Sequence, residues 1–127
     1  MINQKPMILV VDDSTTNVVL LEAILEDKGY RIETALNAKE AYAVLAQQNP
    51  DLILLDLLMP KISGFDFLTQ IRGNENTRNT PVIVVSALTD EENITKIIRM
   101  WGFDFIKKPI DLQYLVERVE SVLHPSC

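Results

Sequence analysis

Leu52-Ile53-Leu54-Leu55-Asp56 is a run of four aliphatic residues that stops on a carboxylate. It is too short for a helix and apolar at every position, so it reads as a strand covered on both faces. Ile8-Leu9-Val10-Val11 repeats the form and stops at Asp12-Asp13-Ser14. Pro81–Val85, ending at Ser86, and Phe103–Lys107 are two further β-rich runs. Arg31–Ala35 alternates polar and apolar residues, which suits a strand nearer an edge.

Amphipathic stretches separate these runs. Thr15–Lys28 sets Val18, Leu21 and Leu25 on one helical face, and Gly29 is a good stop. Asn37 with Glu40 has the form of a helix start, with Ala41, Val44 and Leu45 as the apolar face. Ser63 can cap a third helix with Leu68 and Ile71 inside, and Thr89-x-x-Glu92 opens a fourth that carries Ile94, Ile97, Ile98 and Trp101. Asp111 caps a last helix whose inner face is Leu112, Leu115, Val116, Val119 and Leu123. Asn74–Asn79 reads as a polar loop. Five strands and five helices in strict alternation predict an α/β fold, a doubly wound parallel sheet with helices on both faces. Of the common strand orders, the flavodoxin-like 2-1-3-4-5 suits five strands.

That order places the ligand site beyond the carboxyl ends of strands 1 and 3, where Asp12, Asp13 and Asp56 fall. Three crowded carboxylates repel one another, which calls for a cation, and hard oxygen ligands suit Mg²⁺. Strand 4 ends on the hydroxyl of Ser86, and strand 5 runs out at Lys107-Lys108-Pro109. Carboxylates, metal, hydroxyl and ammonium make a set for handling a phosphoryl group, with a carboxylate as nucleophile.

Val10-Val11-Asp12-Asp13-Ser14, Asp51–Pro60 with Gly64, Val84-Val85-Ser86-Ala87 and Lys107-Lys108-Pro109 together resemble receiver domains of two-component signalling, over roughly residues 6–124 of a single domain spanning 1–127. The resemblance implies that Asp56 takes a phosphoryl group from a histidine kinase or histidine phosphotransfer protein. It implies Asp13 as a direct Mg²⁺ ligand, Asp12 acting largely through metal-bound water, and the backbone carbonyl of Leu58 on the metal, with Mn²⁺ as a substitute ion. Ser86 would hydrogen-bond the phosphoryl group and Lys108 would pair with it, before a Lys108–Pro109 bond expected to be cis. Phe105 stands at the aromatic switch position where tyrosine is common, and would work with Ser86 to alter partner binding. Trp101-Gly102 replaces the family's Gly-Ala pair and Phe103 follows where a polar residue is usual. Trp101 fits core packing, while Trp101, Phe103 and Phe105 together would form an output surface. Through it the chain would meet a downstream target, a fused output domain or a second copy, the last by the fourth helix, fifth strand and last helix.

Strand-end aspartates can serve as helix caps, Lys107 reads as a solvated charge, and His124 at the chain end needs no role. A flavin-binding fold would want a hydroxyl- and glycine-rich loop, not Asp12-Asp13, after strand 1, and a haloacid-dehalogenase-type phosphatase would want an aspartate where Leu58 stands. A receiver-like interaction module that works without phosphorylation is the remaining alternative. The chain is expected to be no conventional enzyme, only to assist its own phosphorylation and dephosphorylation. A net charge of −6 argues against direct nucleic-acid binding. The one cysteine, Cys127, excludes an intramolecular disulfide, and no apolar run is long enough for a bilayer span. A cytoplasmic chain with no leader, and no output segment after Leu123, is the expectation.

Overall fold

The computed structural model describes residues 5–56, 64–86, 104–107 and 111–124. Strands β1 (Met7–Val11), β2 (Arg31–Ala35), β3 (Leu52–Asp56), β4 (Val82–Ser86) and β5 (Asp104–Lys107) form a parallel sheet in the order β2-β1-β3-β4-β5. Helices α1 (Thr15–Asp27), α2 (Ala38–Leu45), α3 (Gly64–Gly73) and α4 (Leu112–Leu123) accompany them. The order is the expected one, and β2 lies at the edge, as its alternating sequence suggests. The expected caps Ser63 and Thr89, and the helix after Thr89, fall outside the described residues.

Strand alternation divides the core in two. Ile8, Val10, Leu52, Leu54, Ile83, Val85 and Ile106 face one side, packed with Val18, Leu21 and Leu25 of α1 and Leu115, Val116 and Val119 of α4. Leu9, Val11, Ile53, Leu55, Val82 and Val84 face the other, with Ala38 and Ala41 of α2 and Phe67, Leu68 and Ile71 of α3. The purely aliphatic runs of β1 and β3 are thus buried on both faces. In α2 only Ala38 and Ala41 are buried, while Val44 and Leu45 of its expected apolar face pack at the margin.

Local chemistry sets the helix ends. Ser14, Asn37 and Asp111 each accept from the backbone N–H three residues on, at 3.3, 2.8 and 3.1 Å. The Glu40 carboxylate reaches back to the Leu36 N–H at 2.7 Å and completes the second of these caps. Gly29 ends the α1 connection with φ +95°, a conformation that costs glycine little. Residues 74–79 are more than a polar loop: Thr77 is buried and its hydroxyl donates to the Ile71 carbonyl at 2.7 Å. Arg72 braces the same segment through the carbonyls of Arg78 and Thr80 at 2.9 and 3.0 Å, and burial holds its pKa below the usual value. Arg118 ties α4 to β5 by donating from Nε to Asp104 at 2.9 Å, and that bond raises the pKa of its guanidinium.

Candidate functional site: an acidic cluster at the ends of β1 and β3

The register of the two central strands builds the site. Val11 pairs with Leu55, so the residues that follow them, Asp12 and Asp56, leave the sheet side by side. Asp12, Asp13 and Asp56 offer carboxylate oxygens that all lie within 4.8 Å of one another. Asp12 and Asp56 are only 3 % and 5 % exposed, whereas Asp13 is open to solvent. Two shielded carboxylates and one accessible carboxylate thus gather at the ends of β1 and β3.

The start of α1 fixes Asp12. Its Oδ1 accepts from the Ser14 N–H at 2.9 Å and its Oδ2 from the Asn17 side-chain amide at 3.4 Å. The Asp12 N–H itself donates to the Ala35 carbonyl at the end of β2 at 3.1 Å. Asp12 is therefore oriented by both backbone and side-chain donors, which also offset part of the cost of burying its charge. Asn17 escaped the sequence reading. The available signal was its position three residues after the Ser14 cap, one turn above Asp13.

The donor set fits a small hard cation. Three carboxylates supply oxygen only, and their mutual repulsion falls when a divalent ion sits among them. Ser86 closes β4 one residue beyond the register partner of Asp56, which is Val85. Phe105 lies in β5 opposite Val84 and packs, half-buried, on the α2–α3 side of the sheet. Leu58, Lys108, Trp101 and Phe103 lie outside the described residues, as does the side chain of Ser86. Lys107 ends β5. His124 caps α4 and stacks on Tyr30 with ring centroids 6.0 Å apart.

Comparison with known proteins places this arrangement. Residues 8–120 match the profile of the response regulator receiver domain. The chain belongs to that family. The receiver domain is 39% identical over 115 residues to the response regulator PleD of Caulobacter vibrioides, covering 91% of this chain but 25% of PleD. It is 34% identical to protein PilH of Pseudomonas aeruginosa, covering 91% of this chain and 96% of PilH. The first of these relatives is thus some four times longer than the matched region and the second is almost coextensive with it. Among solved structures, a response regulator receiver protein from Pseudomonas putida superposes with a TM-score of 0.87 at 35% identity, over 94% of this chain and 99% of that one. The chemotaxis protein CheY4 of Vibrio cholerae superposes with a TM-score of 0.85 at 28% identity. This is a receiver domain of two-component signalling. Among the described residues, no helix is long and apolar enough to cross a membrane.

Proposed function

We propose that Asp56 accepts a phosphoryl group from a histidine kinase or histidine phosphotransfer protein, and that Asp12 and Asp13 hold the Mg²⁺ this transfer requires. The convergence of the three carboxylates at the ends of β1 and β3, with Asp56 shielded at 5 % exposure, carries the reading. A carboxylate oxygen of Asp56 attacks phosphorus, the bond from phosphorus to the donor's imidazole nitrogen breaks, and the imidazole leaves with a proton. The product is an acyl phosphate. Asp12, Asp13 and Asp56 would hold Mg²⁺, or Mn²⁺ in its place, and the bound ion would supply positive charge to offset that of the phosphoryl oxygens. Asp13, exposed at the mouth, is suited to direct ligation together with Asp56 and the Leu58 carbonyl. Asp12, held by Ser14 and Asn17, acts mainly as oriented negative charge.

Ser86 and Lys108 bind the phosphoryl oxygens that Asp56 acquires. Movement of Ser86 toward them makes room for Phe105 to turn inward, and partner affinity changes with it. The phosphoryl group supplies the differential interaction such a shift needs. Trp101 and Phe103 join Phe105 in an output surface for a downstream protein or a fused output domain. The chain is a switch that assists its own phosphorylation and dephosphorylation, not a conventional enzyme, and it works in the cytoplasm where its donors present phosphohistidine.

Incubation with acetyl phosphate and Mg²⁺ tests the assignment by intact mass. Wild type should gain one phosphoryl group, the gain should vanish on chelation, and Asp56→Asn should gain none. Undiminished uptake by Asp56→Asn contradicts the proposal.

A further inference from the structure

A cavity of about 290 Å³ opens between α2, α3 and the segment that follows α3. Its walls come from the last turns of both helices and from residues 74–77, which lead toward the amino end of β4. It therefore lies at the edge of the sheet opposite the acidic cluster. Leu45 and Ile71 give it apolar walls, Tyr42 an aromatic one, and Gln70, Asn74 and Asn76 three side-chain amides. No charged side chain lines it among the described residues. Internal bonds fix the loop wall: the Thr77 hydroxyl donates to the Ile71 carbonyl at 2.7 Å, and the N–H groups of Thr77 and Arg78 donate to the Asn74 carbonyl at 3.0 and 2.8 Å. The Asn76 N–H donates to the Asn74 side-chain oxygen at 2.8 Å. Tyr42 is held in turn by its ring contact with Phe67. The side chains of Gln70 and Asn76 and the hydroxyl of Tyr42 have no hydrogen-bond partner among the described residues. Burial and the nearby Asp66 hold the Tyr42 pKa above its usual value, so that hydroxyl stays a neutral donor.

We propose that this cavity binds the base of a nucleoside, a flat and uncharged heterocycle with hydrogen-bonding edges. The lining decides the class of ligand by elimination. A metal ion wants anionic oxygens, and a phosphate or carboxylate wants a cation; the described lining offers neither. A purely aliphatic ligand would cut the free amides and the phenol off from water without replacing their hydrogen bonds. A nucleobase answers both halves of the lining. Its faces are apolar enough to lie against Tyr42, Leu45 and Ile71, and aromatic rings are favoured partners for an unstacked base. Its edges set donors and acceptors side by side, which is the pattern a carboxamide matches with two bonds at once. Gln70 and Asn76 are the carboxamides available for this, and the Tyr42 hydroxyl adds a third polar contact. The volume stands at the lower end of the range for small-molecule sites, so it suits a ring system and leaves an attached sugar toward solvent. The braced loop wall is built before the ligand arrives, which lowers the ordering cost of binding. Because the cavity and the acidic cluster occupy opposite edges of the sheet, an occupant leaves the approach to Asp56 open.

Titration of the ¹⁵N-labelled chain with adenosine, followed by NMR, tests the proposal. The side-chain amide signals of Gln70 and Asn76 and the backbone signals of Tyr42, Leu45 and Thr77 should move together and saturate, while those of Asp12, Asp13 and Asp56 stay still. Ribose alone should move none of them. Adenosine 5′-monophosphate should bind more weakly than adenosine, since its phosphate finds no cation in the lining. Gln70→Ala combined with Asn76→Ala should weaken adenosine binding by about tenfold or more, the loss expected when paired hydrogen bonds to a base are removed. Both side chains are exposed, and circular dichroism checks that the fold is retained. Absence of any saturating shift at the cavity overturns the proposal. So does unchanged affinity in the double variant, equal binding of ribose, or tighter binding of the monophosphate.

Discussion

Asp51 and Asp56 flank the same strand, and their surroundings give them opposite work. Asp51 precedes β3 at its amino end, exposed, and its Oδ2 accepts from the Met7 N–H at 2.8 Å while its own N–H donates to the Met7 carbonyl at 2.8 Å. It closes the lower edge of the β1–β3 pair with a charge-assisted bond. Asp56 ends the strand at the opposite, carboxyl edge, buried against two further carboxylates. One aspartate stabilises the sheet. The other is held where like charges crowd, an arrangement that is useful only when a cation or a transferable group arrives. The difference comes from strand direction, since in a parallel sheet all carboxyl ends open onto one side and the loops there are left for chemistry.

The contrast can be broken most severely at the level of metal binding. At Mg²⁺ near 100 times its dissociation constant, wild type should gain about 2.7 kcal/mol against unfolding. Asp13→Ala should lose nearly all of that gain, and Asp12→Ala should retain part of it. Asp51→Ala should keep it whole. Thermal melts with and without Mg²⁺ read all three variants, and an equal loss in Asp12→Ala and Asp13→Ala would contradict their different roles.

A smaller effect concerns intrinsic stability without metal. Asp51→Ala should cost about 1 kcal/mol, the ordinary worth of one partly exposed hydrogen bond. Asp56→Asn removes one of three mutually repelling charges and should raise stability by a similar amount, a few degrees in midpoint. Urea denaturation at neutral pH distinguishes these opposite signs. Loss of stability in both variants would mean that Asp56 is also a structural residue.

The smallest expected change is a ring movement. Beryllofluoride bound at Asp56 should shift the side-chain resonances of Phe105 in wild type, and Ser86→Ala should abolish the shift while still binding beryllofluoride. Identical Phe105 signals in free and bound wild type would remove the coupling.

Features decided by local pattern were legible in the sequence. The aliphatic runs of β1 and β3 and their abrupt stops located both the centre of the sheet and its carboxylates, because burial on two faces leaves no alternation to misread. The caps Asn37 and Asp111 were legible from residue type and spacing, whereas Ser14, which caps α1, was not singled out. What escaped depends on contacts between distant segments. The bond from Asp51 joins residues 44 positions apart. Phe67 is wholly buried against the sheet and its ring lies 5.2 Å from that of Tyr42 of α2, a pairing no periodicity announces. The inner face of α1, by contrast, followed from spacing: Val18, Leu21 and Leu25 are buried while Val19 and Leu20 are 57% and 43% exposed.

The central claim is that the acceptor is Asp56 and not one of its acidic neighbours. Borohydride reduction of the chain after labelling with acetyl phosphate and Mg²⁺ converts an aspartyl phosphate to homoserine, and peptide mass mapping locates the change. The account predicts homoserine at position 56 alone. Homoserine at Asp12, Asp13 or Asp51, with position 56 still aspartate, would contradict it.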